Sequence, residues 1–381
     1  MTFEPTDRVG SVPPSGIRKF FELAEEYDDI ISLGVGEPDF APPWAARDAA
    51  IASLERGQTS YTANRGMADL RERIAADASR RYGLEYDPDE EVLVTAGASE
   101  AVDLAFRAFL DEGDSVAIAQ PCYVSYVPSA KFAGAEVVDV PTRAADDFKL
   151  TREVLEASGA AETDALVMCY PNNPTGATMT REELLPVAEF AREHDLLVFS
   201  DEIYSALSYE HDHASIATCP GMRERTVAFN GFSKAYAMTG LRLGYALAPP
   251  QAVEAMNRIH QYTMLSAPTT AQYAAVAALD NCEREVEEMR AQYDRRRNFV
   301  LSRFDEMGID CFPAAGAFYA FPECPWDDSD AFAEALLEQE RVAVVPGTVF
   351  GAGGEGHLRV SYATGLGDLK EAMNRIESFV G

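Results

Sequence analysis

From about Ala45 to Tyr262 the chain alternates short, continuous apolar runs with longer stretches whose apolar residues recur three and four positions apart. The short runs read as buried strands: Val92–Thr95, Ser115–Ala119, Ala135–Val140, Ala165–Cys169, Leu196–Ser200, Thr226–Phe229 and Gly244–Leu247. The longer ones read as helices: Ala45–Arg56, Ala68–Arg81, Glu100–Leu110, Arg181–Glu193 and Gln251–Tyr262. Strand and helix in turn predict an α/β fold with a mainly parallel sheet and crossover helices, whose ligand lies at the carboxyl ends of the strands. Residues 1–16 read as an irregular arm and Ile17–Tyr27 as a short helix. Beyond about Pro268 come a helical stretch to Asp280, a charged helix over Glu283–Met307, and then short elements, with Gly316–Phe321 and the run holding Arg359 read as strands. We therefore expect an arm and part of a smaller domain over residues 1–45, a large domain over 46–270 and a small C-terminal domain over 271–381.

The polar residues that break the pattern fall in the loops after strands. Asn230–Gly244 carries Lys234 beside Ser233, with Arg242 between Gly240 and Gly244. A lysine next to an anion-binding hydroxyl and a guanidinium suits a Schiff base to a phosphorylated aldehyde, which describes pyridoxal phosphate. Lysine is scarce here, with Lys19, Lys131, Lys149, Lys234 and Lys370 alone against 27 arginines, so one kept at position 234 asks for a reason. Asp201 directly follows an apolar strand, where a carboxylate needs a partner; a protonated ring nitrogen is one, and Tyr204 stands three residues on.

Thr95-Ala-Gly-Ala-Ser99 opens a helix, and small residues with a hydroxyl there offer N–H groups to a phosphate; Ser99 as a plain N-cap is the alternative. Tyr123 is placed to stack on a flat ligand or to sit in the core, and Pro171–Gly176 is a turn in which Asn173 offers its amide. Gly34 and Gly36 bring bare backbone to a surface that something approaches, and Arg359 suits a two-bond grip on a carboxylate. His211-Asp-His213 lacks a third imidazole nearby and does not read as a metal site.

Composition narrows the partners. A net charge of −31 repels nucleic acid and anionic lipid, and with so little lysine it points to a salt-rich cytoplasm where self-repulsion is screened. The six scattered cysteines read as free thiols. The N-terminus has no signal-peptide pattern, and no apolar run has the length of a membrane span, so a cytoplasmic protein is expected.

Taken together, Ser32–Phe40, Tyr61-Thr62 with Gly66, Asn172–Gly176, Ser200–Tyr204, Ser233-Lys234, Gly240-x-Arg242-x-Gly244 and Arg359 resemble the class I/II aminotransferases of the fold-type I pyridoxal phosphate family, over essentially the whole chain. The resemblance is greatest to archaeal aromatic and aspartate aminotransferases. It implies a seven-stranded, mainly parallel sheet between helices plus a smaller α/β domain. It also implies Lys234 as the Schiff-base residue, Asp201 on the pyridine nitrogen, and Asn173 and Tyr204 on the phenolic oxygen. Ala98, Ser99, Ser233 and Arg242 then hold the phosphate, with Tyr123 on the ring. Tyr61 reaches a neighbouring subunit's phosphate, hence a homodimer, and Gly36, Asn173 and Arg359 receive the substrate carboxylate. Ser99 stands where some bacterial aspartate aminotransferases have lysine, which weakens a strict aspartate preference. The implied reaction moves an amino group from an L-amino acid, aromatic or aspartate, to a 2-oxo acid such as 2-oxoglutarate. A lyase removing a β or γ substituent on the same scaffold is the alternative.

Overall fold

The structure, a computed structural model, describes residues 3–17 and 29–381. The helix expected over 17–27 lies outside the described residues apart from its first position. A two-residue strand, β1 (Ile31–Ser32), precedes a sheet built from β2 (Val92–Thr95), β3 (Ser115–Gln120), β4 (Glu136–Pro141), β5 (Ala165–Cys169), β6 (Leu197–Asp201), β7 (Thr226–Gly231) and β8 (Gly244–Leu247). Its seven strands run in the order β2-β8-β7-β6-β5-β3-β4. All neighbours are parallel except β8, which is antiparallel to both β7 and β2.

β2 and β5 are buried at every position, as strands covered on both faces by crossover helices must be. Register then sets the loops. Cys169 pairs with Asp201 and Asp201 with Phe229, while Gly244 faces both Thr95 and Gly231. The segments after β2, β5, β6 and β7 therefore emerge side by side along one edge.

The C-terminal third adds β9 (Tyr319–Ala320), β10 (Val342–Ala343), β11 (Val345–Pro346) and β12 (Leu358–Ser361). β1 pairs in parallel with β10, and β12 lies antiparallel between β11 and β9. This brings the glycines after β1 beside Arg359, since Ser361 N–H donates to Leu33 O at 2.7 Å. Helices Thr269–Asn281 and Glu283–Glu306 connect the large sheet to this region. One hydrophobic cluster runs from Leu70 beside the large sheet to Ile376 in the last helix.

Three expectations are corrected. The helix after β2 starts at Ala98, so Ser99 lies inside its first turn and the capping position belongs to Gly97. The strand expected over Gly316–Phe321 is confined to Tyr319–Ala320. Gly316 is pressed onto the Pro171–Thr178 turn, where a Cβ would come within 2.6 Å of Pro171 Cβ, and it makes an isolated bridge to Ser208. Helices Tyr126–Ala133 and Arg152–Ser158 are additional to those expected. The six cysteines are free, and among the described residues no helix is long and apolar enough to cross a membrane.

Candidate active site

The loops at the carboxyl edge enclose a cavity of about 550 Å³ lined by Gly36, Ala98, Ser99, Tyr123, Asn173, Asp201, Tyr204, Ser233, Lys234, Arg242 and Arg359. These are the site positions expected from the sequence, with one exception. Tyr61 lies elsewhere, 79% exposed on the surface of this chain.

Lys234 sits in the turn after β7, and its Nζ donates to Gly36 O at 2.6 Å. Burial, with Arg359 next and Arg242 further down, brings its amine to about 8, against the opposing pull of Glu37 and Asp201. An amine so placed has a far larger neutral fraction near physiological pH than an ordinary lysine, and a nucleophile or proton carrier needs that fraction.

Asp201 ends β6 and is 6% exposed. Its Oδ2 accepts from Tyr126 OH at 2.6 Å and its Oδ1 from Ile203 N–H at 3.0 Å. Burial raises its carboxyl above the ordinary range, while these two bonds favour the ionised form. Tyr126 is missing from the expected site. An aromatic residue just after a strand signals core as readily as function, and its partner lies 75 residues away.

Arg359 on β12 is 2% exposed. Its guanidinium lies 4.6 Å from the Tyr319 ring and 4.8 Å from the Phe350 ring. Nη1 donates to Asn173 Oδ1 at 3.0 Å and Nη2 to Gly34 O at 2.6 Å, while Nε is buried without a partner. Among the described residues no carboxylate pairs with it. A buried, fixed cation lining a cavity without an anion of its own is a receptor for one. Asn173 spends its oxygen on Arg359, so its Nδ2 remains as a donor. Tyr204 OH lies 2.9 Å from Tyr319 OH, and burial first, then Tyr319, holds the Tyr204 phenol protonated. The same Tyr319 hydroxyl is 2.5 Å from where a Gly36 Cβ would stand, so this position requires glycine.

The opposite end of the cavity suits an anion. The helix Ala98–Phe109 begins without a side-chain cap, leaving first-turn N–H groups directed at the cavity. Gly97 has φ +85°, and a Cβ there would meet Arg242 Nη2 at 2.6 Å, so the guanidinium lies against bare backbone. Arg242 is held by its Nη1 donating to Thr239 O at 2.9 Å. Uncapped helix, Ser233 hydroxyl and Arg242 at one end, Asp201 and Lys234 in the middle and Arg359 at the other fit a phosphorylated, carbonyl-bearing heterocycle and a carboxylate beside it. The histidine pair is structural in its contacts: His211 Nε2 lies 2.9 Å from Thr178 Oγ1 and His213 Nε2 lies 3.1 Å from Glu202 Oε2. No metal-binding cluster occurs among the described residues.

Comparison with known proteins places the chain in a family. The profile of the family "Aminotransferase class I and II" matches residues 28–376. A putative aminotransferase of Bacillus subtilis is 50% identical over 382 residues, covering 100% of this chain and 99% of its own length. An aspartate aminotransferase of Pyrococcus abyssi is 43% identical, covering 98% of this chain and 97% of its own. The crystal structure of an aromatic aminotransferase from Pyrococcus horikoshii superposes with a TM-score of 0.90 at 44% identity, over 96% of this chain and 98% of that one. These matches favour amino transfer over the lyase reaction, and the chain belongs to the class I and II aminotransferases, enzymes that work through pyridoxal phosphate.

Proposed function

We propose that Lys234, Asp201 and Arg359 are the working centre of an aminotransferase whose preferred donors are aromatic L-amino acids, with aspartate second and 2-oxoglutarate as acceptor. The observation that carries the reading is the buried Arg359 fork, without a carboxylate partner among the described residues, in the same cavity as Lys234. Bound pyridoxal phosphate supplies an aldehyde that condenses with amines and a ring that stores an electron pair.

In this reading the first-turn N–H groups of Ala98 and Ser99, with Ser233 and Arg242, hold the phosphate. Tyr123 stacks on the ring, and Asp201, kept ionised by Tyr126 and the Ile203 N–H, faces the ring nitrogen. Asn173 Nδ2 and the Tyr204 hydroxyl donate to the phenolic oxygen. Arg359 would grip the substrate α-carboxylate, with Gly36 and Asn173 alongside, and so hold the substrate Cα in one orientation within the cavity that Lys234 also lines. Lys234 would take the proton from the substrate Cα and give it back, acting as base and then acid.

The aromatic preference is drawn from the lining, where Tyr123, Tyr126 and Tyr319 offer rings to an aromatic side chain. The exposed Tyr61 supports a homodimer in which it reaches the partner's phosphate site. The charge of −31 supports a salt-adapted cytoplasmic enzyme, and the pairing of β1 with β10 supports a small domain built from residues 1–45 and 271–381 around a large domain over 46–270. A panel of amino donors assayed with 2-oxoglutarate in high salt tests the substrate reading. Aromatic donors should exceed aspartate in kcat/KM, and activity confined to aspartate overturns it.

A further inference from the structure

Immediately after Asp201 the chain buries a second carboxylate. Glu202 is 3% exposed, and its side chain belongs to no lining of the cofactor cavity. Three side chains converge on it: Ser200 Oγ donates to Oε1 at 3.0 Å, Ser215 Oγ donates to Oε1 at 2.7 Å, and His213 Nε2 lies 3.1 Å from Oε2. The His213 side chain is only 6% exposed, and its ring stands edge-on to Tyr82 with centroids 5.4 Å apart. Burying two carboxylates on consecutive residues is costly, because each must be satisfied and they repel. A fold needing only a filled interior at position 202 is served as well by an apolar side chain.

The backbone shows what the cluster does. Residues 201–209 form a partition. Asp201, Ile203 and Tyr204 line the cofactor cavity, while Ser205, Ala206, Ser208 and Tyr209 line an open depression on the far side. Glu202 N–H donates to Phe229 O at 2.8 Å, and its own carbonyl accepts from Ser205 N–H at 2.9 Å. Ser205 Oγ also accepts from Asn230 Nδ2, at 2.9 Å, four residues before Lys234. The ties made by Glu202 thus sit one peptide bond from Asp201 on one side and two residues from Tyr204 on the other.

We propose that Glu202 and His213, with Ser200 and Ser215, form a positioning cluster that fixes Asp201 and Tyr204 against the cofactor ring from behind. It rests on the roles given above to Lys234, Asp201 and Tyr204. None of the four touches the substrate, so their contribution falls on the reacting geometry, and a displacement of about 1 Å there costs up to about a hundredfold in rate.

The test uses holoenzyme of the wild type, Glu202→Ala, Glu202→Gln and His213→Phe. One portion of each is reduced with borohydride to measure cofactor fixed on Lys234, and a separate unreduced portion is assayed for kcat, KM and the visible circular dichroism of bound cofactor. Glu202→Ala should keep the cofactor on Lys234, lose about tenfold or more in kcat with KM within about twofold, and change the circular dichroism band. Glu202→Gln, whose amide oxygen still accepts from Ser200 and Ser215, should regain most of the loss. Should Glu202→Ala fail to fold, His213→Phe and Ser215→Ala each remove one donor and are read by the same split. Wild-type kcat and an unchanged band in the variants overturn the inference, even with a lowered melting temperature. If wild-type enzyme itself carries no cofactor on Lys234, the underlying site assignment fails and the positioning role falls with it.

Discussion

Replacing Arg359 by lysine keeps a positive charge in the cavity and removes the planar fork. The guanidinium is now fixed by Asn173 Oδ1 at 3.0 Å, Gly34 O at 2.6 Å and two flanking rings, Tyr319 and Phe350. A lysine ammonium has three donors on a flexible stem, cannot present two parallel N–H groups, and loses the ring stacking. The substrate carboxylate forfeits at least one charge-assisted hydrogen bond, worth about 1.5–3 kcal/mol, which is about ten- to a hundredfold in kcat/KM. Arg359→Leu is worse in two respects. It removes the charge, and it leaves the buried Asn173 oxygen and Gly34 carbonyl unsatisfied at about 1–3 kcal/mol each, so melting should also fall. The assay is steady-state transamination over a range of donor concentrations, with cofactor content measured by absorbance on the same samples. Both variants should bind cofactor and lose kcat/KM, with Arg359→Leu the more impaired. Arg359→Lys within threefold of wild type would refute a carboxylate-gripping role for this residue.

Other consequences follow from the same geometry. Because burial lowers the Lys234 amine from 10.5 to about 8, the rate at which apoenzyme takes up pyridoxal phosphate should rise through pH 8 and level off above it. The unfolded chain holds that proton up to its ordinary value, so the cost of burying the charged amine is full below pH 8 and fades between there and about 10.5. Lys234→Met apoenzyme should accordingly exceed wild type in denaturant stability by up to about 3 kcal/mol at pH 7 and converge with it above pH 10; equal curves at both pH values contradict this. Gly97→Ala places a methyl 2.6 Å from Arg242 Nη2 at φ +85°, so cofactor affinity should drop at least about tenfold, measured by equilibrium titration of apoenzyme. At a net charge of −31 the melting temperature should climb steeply with added KCl between low and molar salt, and a flat response counts against salt adaptation.

Much of this was legible in the sequence because the sheet is covered on both faces. Runs such as Ala165–Cys169 and Gly244–Leu247 have no polar alternation to blur their ends, and the structure begins and ends those strands at the same residues. Tyr126–Ala133 escaped notice because it is short and mixes Pro128 and β-branched Val127 with aromatic residues, a composition that does not announce a helix. In the site, residues that follow a strand directly, such as Asp201, or that break composition, such as Lys234, stood out alone. Glu202 did not, and nothing local marked the Tyr126 hydroxyl as the partner of Asp201 or the Gly34 carbonyl as the partner of Arg359. Their functions depend on partners brought close only by sheet register, and a tyrosine, a backbone oxygen or one more acidic residue in so acidic a chain carries no local signal.

The most direct test of the central claim is to reduce purified holoenzyme with borohydride in high salt and map the cofactor by peptide mass. One pyridoxyl phosphate per chain, confined to the peptide at Lys234 and absent from Lys234→Ala, is the outcome required here. Label on any of Lys19, Lys131, Lys149 or Lys370 instead, or no label on a catalytically active enzyme, contradicts it.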